Sequence, residues 1–228
     1  YFSGDDLLKR MVKAHEETLD CIPYTSFSMY EYRTLIGEAG SLPFFGEHNY
    51  QNMSAAIAVA TDLGIDRADA VKALTSFTGA AKRLEVVHES GSGIAYRDFA
   101  HAPSKVRATV NAVRAEYPGK KLIACLELHT YSSLNKDFLP GYAGSLDAAD
   151  VGIVLYDPKT LEIKRLPPID TGFIKIAFQK EEILVLDRAK AIPDEVKAHI
   201  GDNTVLLWMS SGQFGGIDIS ALSQSLLP

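Results

Sequence analysis

From residue 84 onward the hydrophobic positions fall into short continuous runs separated by longer amphipathic stretches. Lys121-Leu-Ile-Ala-Cys-Leu126 and Val151-Gly-Ile-Val-Leu155 are apolar almost without a break. That is the pattern of strands buried on both faces of a parallel sheet. Strands are predicted near 84–88, 93–98, 121–127, 151–155, 183–186 and 204–209, and helices near 103–117, 136–148, 188–199 and 217–226. Strand and helix alternate, which predicts an α/β fold, a doubly wound, mostly parallel, Rossmann-like sheet. The first 80 residues are patterned differently. Asp5 is placed to cap a helix from Asp6 to about Leu19, with Leu7, Leu8, Met11 and Val12 on one face. Residues 22–45 mix Tyr, Phe, Ser and Gly and read as short antiparallel strands. After Gly46 an alanine-rich helix runs to Gly64, and Asp66 opens a second, with Val71, Leu74 and Phe77 inward. The two form an antiparallel pair. The glycine hinge in Phe77-Thr-Gly-Ala-Ala81 then marks a boundary, giving domains 1–80 and 81–228.

Composition narrows the partners. With 46% hydrophobic and 23% charged residues over 228 positions, the chain is an ordinary globular one. A net charge of -6 without a basic run argues against nucleic acid or an anionic membrane as partner. Cys21 and Cys125 lack metal-ligand spacing and read as free thiols, so the cytoplasm is the expected compartment. The chain starts at Tyr1-Phe2, which reads like the tail of a strand entered midway and predicts a piece of a longer protein.

Chemistry concentrates at the junctions between elements. Asp98 and His101 sit between the strand ending in Tyr96-Arg97 and the helix opening at Pro103, at the carboxyl edge of the predicted sheet. Asp98 either caps that helix or faces a ligand. Asn49 and Asn52, three apart, share a face of one helical turn, where an amide either caps the helix or meets a flat heterocycle. Lys82-Arg83 is either a solvated pair or a polyphosphate contact. Neither Gly-x-x-x-x-Gly-Lys-Ser/Thr nor Gly-x-Gly-x-x-Gly after a strand occurs, so no phosphate-cradling loop or nicotinamide fingerprint is present.

Four stretches, Gly46-Glu-His-Asn-Tyr-Gln-Asn52, Phe77-Thr-Gly-Ala-Ala-Lys-Arg-Leu-Glu85, Asp98-Phe-Ala-His-Ala-Pro103 and Leu126-Glu-Leu-His-Thr-Tyr131, stand in a fixed order. With Ala148-Ala-Asp150 and Met209-Ser-Ser-Gly212 they resemble the Mur ligase family, the ATP-dependent amide-forming enzymes of peptidoglycan synthesis. Within it the chain is most similar to the UDP-N-acetylmuramate ligases, which add either L-alanine or a recycled tripeptide. It departs from them at Ala102, where a second histidine is usual, at Lys82, where an arginine is usual, and at Ser133, where the alanine-adding enzymes carry arginine. The resemblance implies that residues 1–80 are the C-terminal part of the central α/β ATPase domain and 81–228 the C-terminal domain. It also implies ATP, and magnesium held mostly by residues upstream. The partners it implies are UDP-N-acetylmuramate, an amino acid or peptide acceptor, and the missing N-terminal domains. By the same resemblance, His48, Asn49 and Asn52 edge the adenine, Asp98 accepts from the ribose, and Lys82 and Arg83 reach the phosphates. His101 places or deprotonates the amine, while Glu127, His129 and Ser133 line the acceptor pocket; His129 also fits a structural strand-end role. The chemistry implied is transfer of a phosphoryl group to the lactyl carboxylate and attack of the amine on the acyl phosphate, with the fragment alone inactive. Competing expectations are a folate- or cyanophycin-type ligase on the same fold and a nucleotide-binding domain without catalysis.

Overall fold

A computed structural model of the chain describes residues 1–36, 45–77, 79–180 and 182–228. Thr78, and positions 37–44 of the expected antiparallel strands, lie outside the described residues. The chain divides into two compact units, Tyr1–Gly79 and Ala80–Pro228.

In the first unit Asp5 caps α1 (Asp6–Ala14), accepting from the Leu8 N–H at 2.9 Å. The helix stops short of Leu19. At the C-cap the His15 backbone leaves the helical region and its N–H turns to the Val12 carbonyl, while its imidazole takes the Met11 carbonyl that the next helical N–H would have used. Where short strands were expected, α2 (Met29–Ile36) forms instead. Its start is a reciprocal cap: the Ser28 N–H donates to the Glu31 carboxylate at 2.8 Å and the Glu31 N–H donates back to the Ser28 hydroxyl at 3.2 Å. From this helix Tyr32 packs on Tyr50, ring centroids 4.4 Å apart, while Tyr30 stays exposed. Helix α3 (Glu47–Asp62) buries Tyr50, Met53 and Ile57 and gives way to Gly64 at φ +86°. Asp66 caps α4 (Arg67–Thr75), accepting from the Ala68 N–H at 2.8 Å.

The second unit holds a six-stranded sheet among the described residues. In chain order its elements are β1 (Glu85–Glu89), β2 (Gly93–Asp98), α5 (Pro103–Glu116), β3 (Lys121–Leu128), β4 (Val151–Tyr156), α6 (Pro158–Ile163), α7 (Thr171–Phe178), β5 (Ile183–Leu186), α8 (Ile192–His199), β6 (Thr204–Met209) and α9 (Ile219–Leu226). The strands lie in the order β1-β2-β6-β3-β4-β5, all parallel except the β1–β2 edge pair. The last strand is therefore inserted between the second and third. One face of the sheet presents Ala95, Cys125, Ile153, Leu206 and Trp208 to Ile192 and Val196 of α8 and to Ile219 and Leu226 of α9. Alternation turns their neighbours to the opposite face, where α5 packs along β3 with Val106, Val110 and Val113 fully buried.

The helix expected over 136–148 is replaced by a 3-10 segment, Leu139–Tyr142. Pro140 and Gly141 disfavour a continued α-helix, yet Leu139, Tyr142 and Leu146 still reach the core. Helices α6 and α7 had not been expected. Each opens on an aspartate, Asp157 accepting from the Lys159 N–H at 2.9 Å and Asp170 from the Phe173 N–H at 2.8 Å.

Candidate functional site at the carboxyl edge of the sheet

Parallel strands all present their carboxyl ends to one edge, and the chain leaves β2, β3, β4, β5 and β6 there at Asp98, Leu128, Tyr156, Leu186 and Met209. Pairing keeps the ends level, with Asp98 opposite Met209 and Leu128 opposite Tyr156. Two clefts open along this edge.

The smaller, about 330 Å³, is lined by Lys82, Arg97, Asp98, Ser210 and Gln213 among others. Asp98 is 6% exposed, and its carboxylate accepts from the Leu84 N–H at 2.9 Å, the Ala100 N–H at 2.7 Å and the Thr109 hydroxyl at 3.3 Å. It does not cap α5, whose N-cap is Ala102 without a side-chain bond. Instead it holds the entry to β1, where Lys82 and Leu84 adopt left-handed φ of 57° and 47°. That conformation costs about 1–3 kcal/mol per residue and needs surrounding structure to hold it. The Phe99 N–H donates to the Lys82 carbonyl at 2.8 Å, a second tie on the same segment. An ionised carboxylate has about four acceptor positions, so three bonds leave Asp98 room for one more donor. Lys82 and Arg83 are exposed, and Arg97, which sequence reasoning missed, adds a cation to the cleft wall.

The larger cleft, about 830 Å³, runs across the ends of β3, β4 and β5. Glu127 and His129 stand on its β3 side. Glu127 is 7% exposed and binds the loop after β6: its carboxylate accepts from the Ser210 hydroxyl, from the Phe214 N–H at 2.9 Å and from the Gly215 N–H at 3.1 Å. The loop comes so close that a Cβ on Gly212 would lie 2.6 Å from the Glu127 carboxylate and 2.9 Å from the His129 ring. Glycine is required at Gly212 for that approach. Glu127 is thus occupied by the protein, whereas the His129 side chain is exposed.

His101 and Ser133 line neither of these clefts. The His101 Nδ1 binds the Phe99 carbonyl at 2.8 Å and its ring stands edge-on to Phe99, centroids 5.1 Å apart. The Tyr142 hydroxyl donates to the His101 carbonyl, and burial pushes that phenol's pKa up. Ser133 is 1% exposed; its hydroxyl accepts from the Thr130 N–H at 2.9 Å and donates to the Thr130 carbonyl at 3.1 Å, closing the turn after β3. The Thr130 hydroxyl donates to it as well, at 2.9 Å, so its bonds lie within the turn. In the first unit, His48, Asn49 and Asn52 occupy the start of α3. The Asn49 amide donates to the Phe45 carbonyl at 2.8 Å, while Asn52 is exposed.

The charged residues at the ends of β4 and β5, Asp157, Lys159, Asp187, Arg188 and Lys190, also line the larger cleft and were not foreseen. Their one signal in the sequence is position: they lie within four residues of the end of an apolar run. No group of three or more metal-binding side chains occurs among the described residues. No helix among them is long and apolar enough to cross a membrane.

Residues 82–212 match the family described as Mur ligase, glutamate ligase domain. The UDP-N-acetylmuramate–L-alanine ligase of Paraburkholderia phytofirmans is 30% identical over 184 residues, 75% of this chain and 39% of that protein. The enzyme of the same name from Roseiflexus castenholzii is 41% identical over 106 residues, 46% of this chain and 22% of its own. Among solved structures, a UDP-N-acetylmuramate-alanine ligase from Thermotoga maritima superposes with a TM-score of 0.61 at 21% identity, over 81% of this chain and 38% of its own. A murein peptide ligase from Psychrobacter arcticus gives 0.57 at 24%, over 79% and 37%. The chain thus spans about two fifths of the length of the first curated relatives it matches, 39% in the Paraburkholderia case. With a match that takes in β1 through β6 and both clefts at their carboxyl ends, the chain belongs to the Mur ligase family.

Proposed function

We propose that the chain is the acceptor-handling portion of an ATP-dependent amide-forming ligase of peptidoglycan synthesis or recycling. Such an enzyme joins the lactyl carboxylate of UDP-N-acetylmuramate to the amine of an amino acid or short peptide. The observation that carries the proposal is the family match over residues 82–212, which spans the carboxyl edge with Asp98, Glu127 and His129 on its clefts. Relatives bearing the name UDP-N-acetylmuramate–L-alanine ligase support the donor substrate.

The residues present fit an anionic nucleotide: Lys82 and Arg97 face the cleft beside Asp98, which retains acceptor capacity for a hydroxyl. When bound, ATP supplies the phosphoryl group that activates the carboxylate. Lys82 and Arg83 are assigned to hold phosphate charge, Asp98 to accept from a ribose hydroxyl, and in the first unit His48, Asn49 and Asn52 to meet the adenine. His129 is assigned to the amine side, with Glu127 holding the loop that shapes its surroundings. His101 is assigned to orient or deprotonate the amine. The described residues do not by themselves fit a magnesium site. Holding polyanions and a neutral amine in register is a problem of positioning and charge stabilisation, to which these side chains contribute. We assign chain 1–80 to the end of the central domain and 81–228 to the C-terminal domain, in a cytoplasmic enzyme.

The test is an assay of the full-length protein with UDP-N-acetylmuramate, ATP and either L-alanine or L-alanyl-D-glutamyl-diamino acid tripeptide. Amide product and phosphate in equal amounts are expected. Nucleotide binding without amide formation from any acceptor would reduce the protein to a nucleotide-binding module. The 228-residue chain alone, which carries no phosphate-cradling loop, is expected to release no phosphate from ATP.

A further inference from the structure

Two acidic side chains are placed to neutralise Arg97, and both are committed to backbone. Glu85 stands opposite Arg97 in the β1–β2 ladder, a position in which opposite charges ordinarily pair. Its carboxylate turns instead to the Lys82 N–H at 2.9 Å and closes the turn in which Lys82 is left-handed. Asp218, which lines the smaller cleft together with Arg97, accepts from the Ser220 and Ala221 N–H groups as the cap of α9. Among the described residues no carboxylate oxygen lies within 4.0 Å of the Arg97 guanidinium or the Lys82 ammonium, and neither side chain makes a hydrogen bond.

Strand alternation sets where Arg97 points. Ala95 faces α8 and α9, so Arg97, two residues on, leaves β2 on that face, whereas Asp98 bonds the Thr109 hydroxyl of α5 on the other. The smaller cleft reaches both, since β2 ends there. Arg83 lines neither cleft. The unspent capacity of the smaller cleft is therefore two cations rich in donors and one carboxylate with a single acceptor position left. That is the complement of a sugar phosphate, whose oxyanions suit the cations and whose hydroxyl suits the carboxylate. A volume of about 330 Å³, at the lower end of ligand pockets, suits a pentose with one phosphate better than a whole nucleoside triphosphate. We infer that Arg97 is a specificity-determining residue of this cleft, which takes the ribose of a nucleotide and the phosphate ester attached to it. The guanidinium fork meets that phosphate, Lys82 adds a point charge, and Asp98 accepts from a ribose hydroxyl. Arg83 is left to the distal phosphates. The inference rests on the proposed function for the presence of a nucleotide, and it moves the discrimination of nucleotide from nucleoside onto Arg97.

The experiment measures binding apart from ligation. The 228-residue chain is titrated calorimetrically with adenosine and with AMP. AMP is expected to bind at least about tenfold more tightly, the size of one charge-assisted hydrogen bond. Arg97→Ala is expected to bring the two ligands to parity at an unchanged thermal midpoint, Arg97→Lys to keep part of the preference, and Arg83→Ala to keep all of it. A preference that survives Arg97→Ala, one that disappears in Arg83→Ala, or no preference for AMP in the parent chain overturns the inference. In the full-length protein Arg97→Ala is expected to raise the Michaelis constant for ATP with turnover retained, and an unchanged constant overturns the inference as well. Ligation is scored separately. Arg97-dependent AMP binding in a protein that forms no amide from UDP-N-acetylmuramate would refute the proposed function and leave the assignment of Arg97 standing.

Discussion

Glu127 shows how a residue type that signals chemistry can be recruited to architecture. A carboxylate one residue before the end of a buried strand has few ways to remain in the interior. Here it does so by accepting from a hydroxyl and two backbone N–H groups of the loop after β6. Replacing it with alanine leaves the Phe214 and Gly215 donors without a partner. Each unsatisfied buried group costs about 1–3 kcal/mol, so a loss of about 3 kcal/mol in unfolding free energy is expected for Glu127→Ala. Glu127→Gln keeps an acceptor oxygen and is expected to recover at least half of that; urea denaturation of both variants decides. Equal loss in the two would mean that charge, rather than hydrogen-bond acceptance, holds the loop. Asp98 has the same character at the β2 edge, where it accepts from the N–H of a left-handed Leu84 and from that of Ala100. A rise in the Michaelis constant for ATP in Asp98→Ala is expected to come with lower thermal stability, whereas Arg83→Ala, at an exposed site, is expected to change turnover alone. If Asp98→Ala altered ATP use at unchanged stability, the carboxylate would owe its effect to ligand contact only.

At the scale of elements, strand pairing and helix ends carry the constraints. Gly93 opens β2 opposite Thr204 of β6, and a Cβ there would fall 2.1 Å from the Thr204 carbonyl oxygen. Backbone cannot yield as a side-chain tip does, so Gly93→Ala must spread the β2–β6 pair. Overpacking of this kind costs about 1–3 kcal/mol, and amide hydrogen exchange is expected to quicken first at the β2–β6 ladder. Arg114, at the end of α5, donates to the Ala148 carbonyl at 2.8 Å, the Lys120 carbonyl at 2.8 Å and the Asp150 carboxylate at 2.6 Å. Burial alone would raise the Asp150 pKa, but the Leu122 N–H and the Arg114 guanidinium outweigh it and hold the carboxyl below its ordinary value of 3.8. A depressed folded pKa gives stability that is present above the unfolded value and disappears as pH falls through the folded one. The contribution of the Arg114–Asp150 pair is therefore expected to be constant at neutral pH and to decline progressively as pH falls below about 4. With both partners partly exposed its size is at most about 1 kcal/mol. Comparing Asp150→Asn with the parent across pH 3–7 is the check, and a stability difference that grew on acidification would reverse the assignment.

For the whole molecule, the second unit contains its own sheet, with cores on both faces, between Ala80 and Pro228. A protein beginning at Ala80 is expected to unfold in one cooperative transition with tryptophan fluorescence and far-ultraviolet dichroism coincident, since Trp208 is fully buried in that unit. Separate transitions would show that the unit draws its order from outside itself. How far residues alone led follows from where information is local. Short apolar runs bounded by turn residues and alternating with amphipathic stretches favour buried strands, so the strands at 93–98, 183–186 and 204–209 and the α/β class were legible without coordinates. Asp5 and Asp66 marked their helices because a cap is settled within three residues. The helix Met29–Ile36 has a local signal in the Ser28–Glu31 cap, but the mixed aromatic composition of residues 22–45 reads as strand. Strand order was not, because inserting β6 between β2 and β3 depends on packing between segments more than 75 positions apart. Nor were the fates of the polar residues. Identical side-chain chemistry leaves Glu127 and Ser133 inside the protein's own hydrogen bonds and His129 and Arg188 exposed beside a cleft. A hydrogen-bonding group does not carry its partner in its own sequence neighbourhood, and only the assembled edge of the sheet determines which donors and acceptors remain for a ligand.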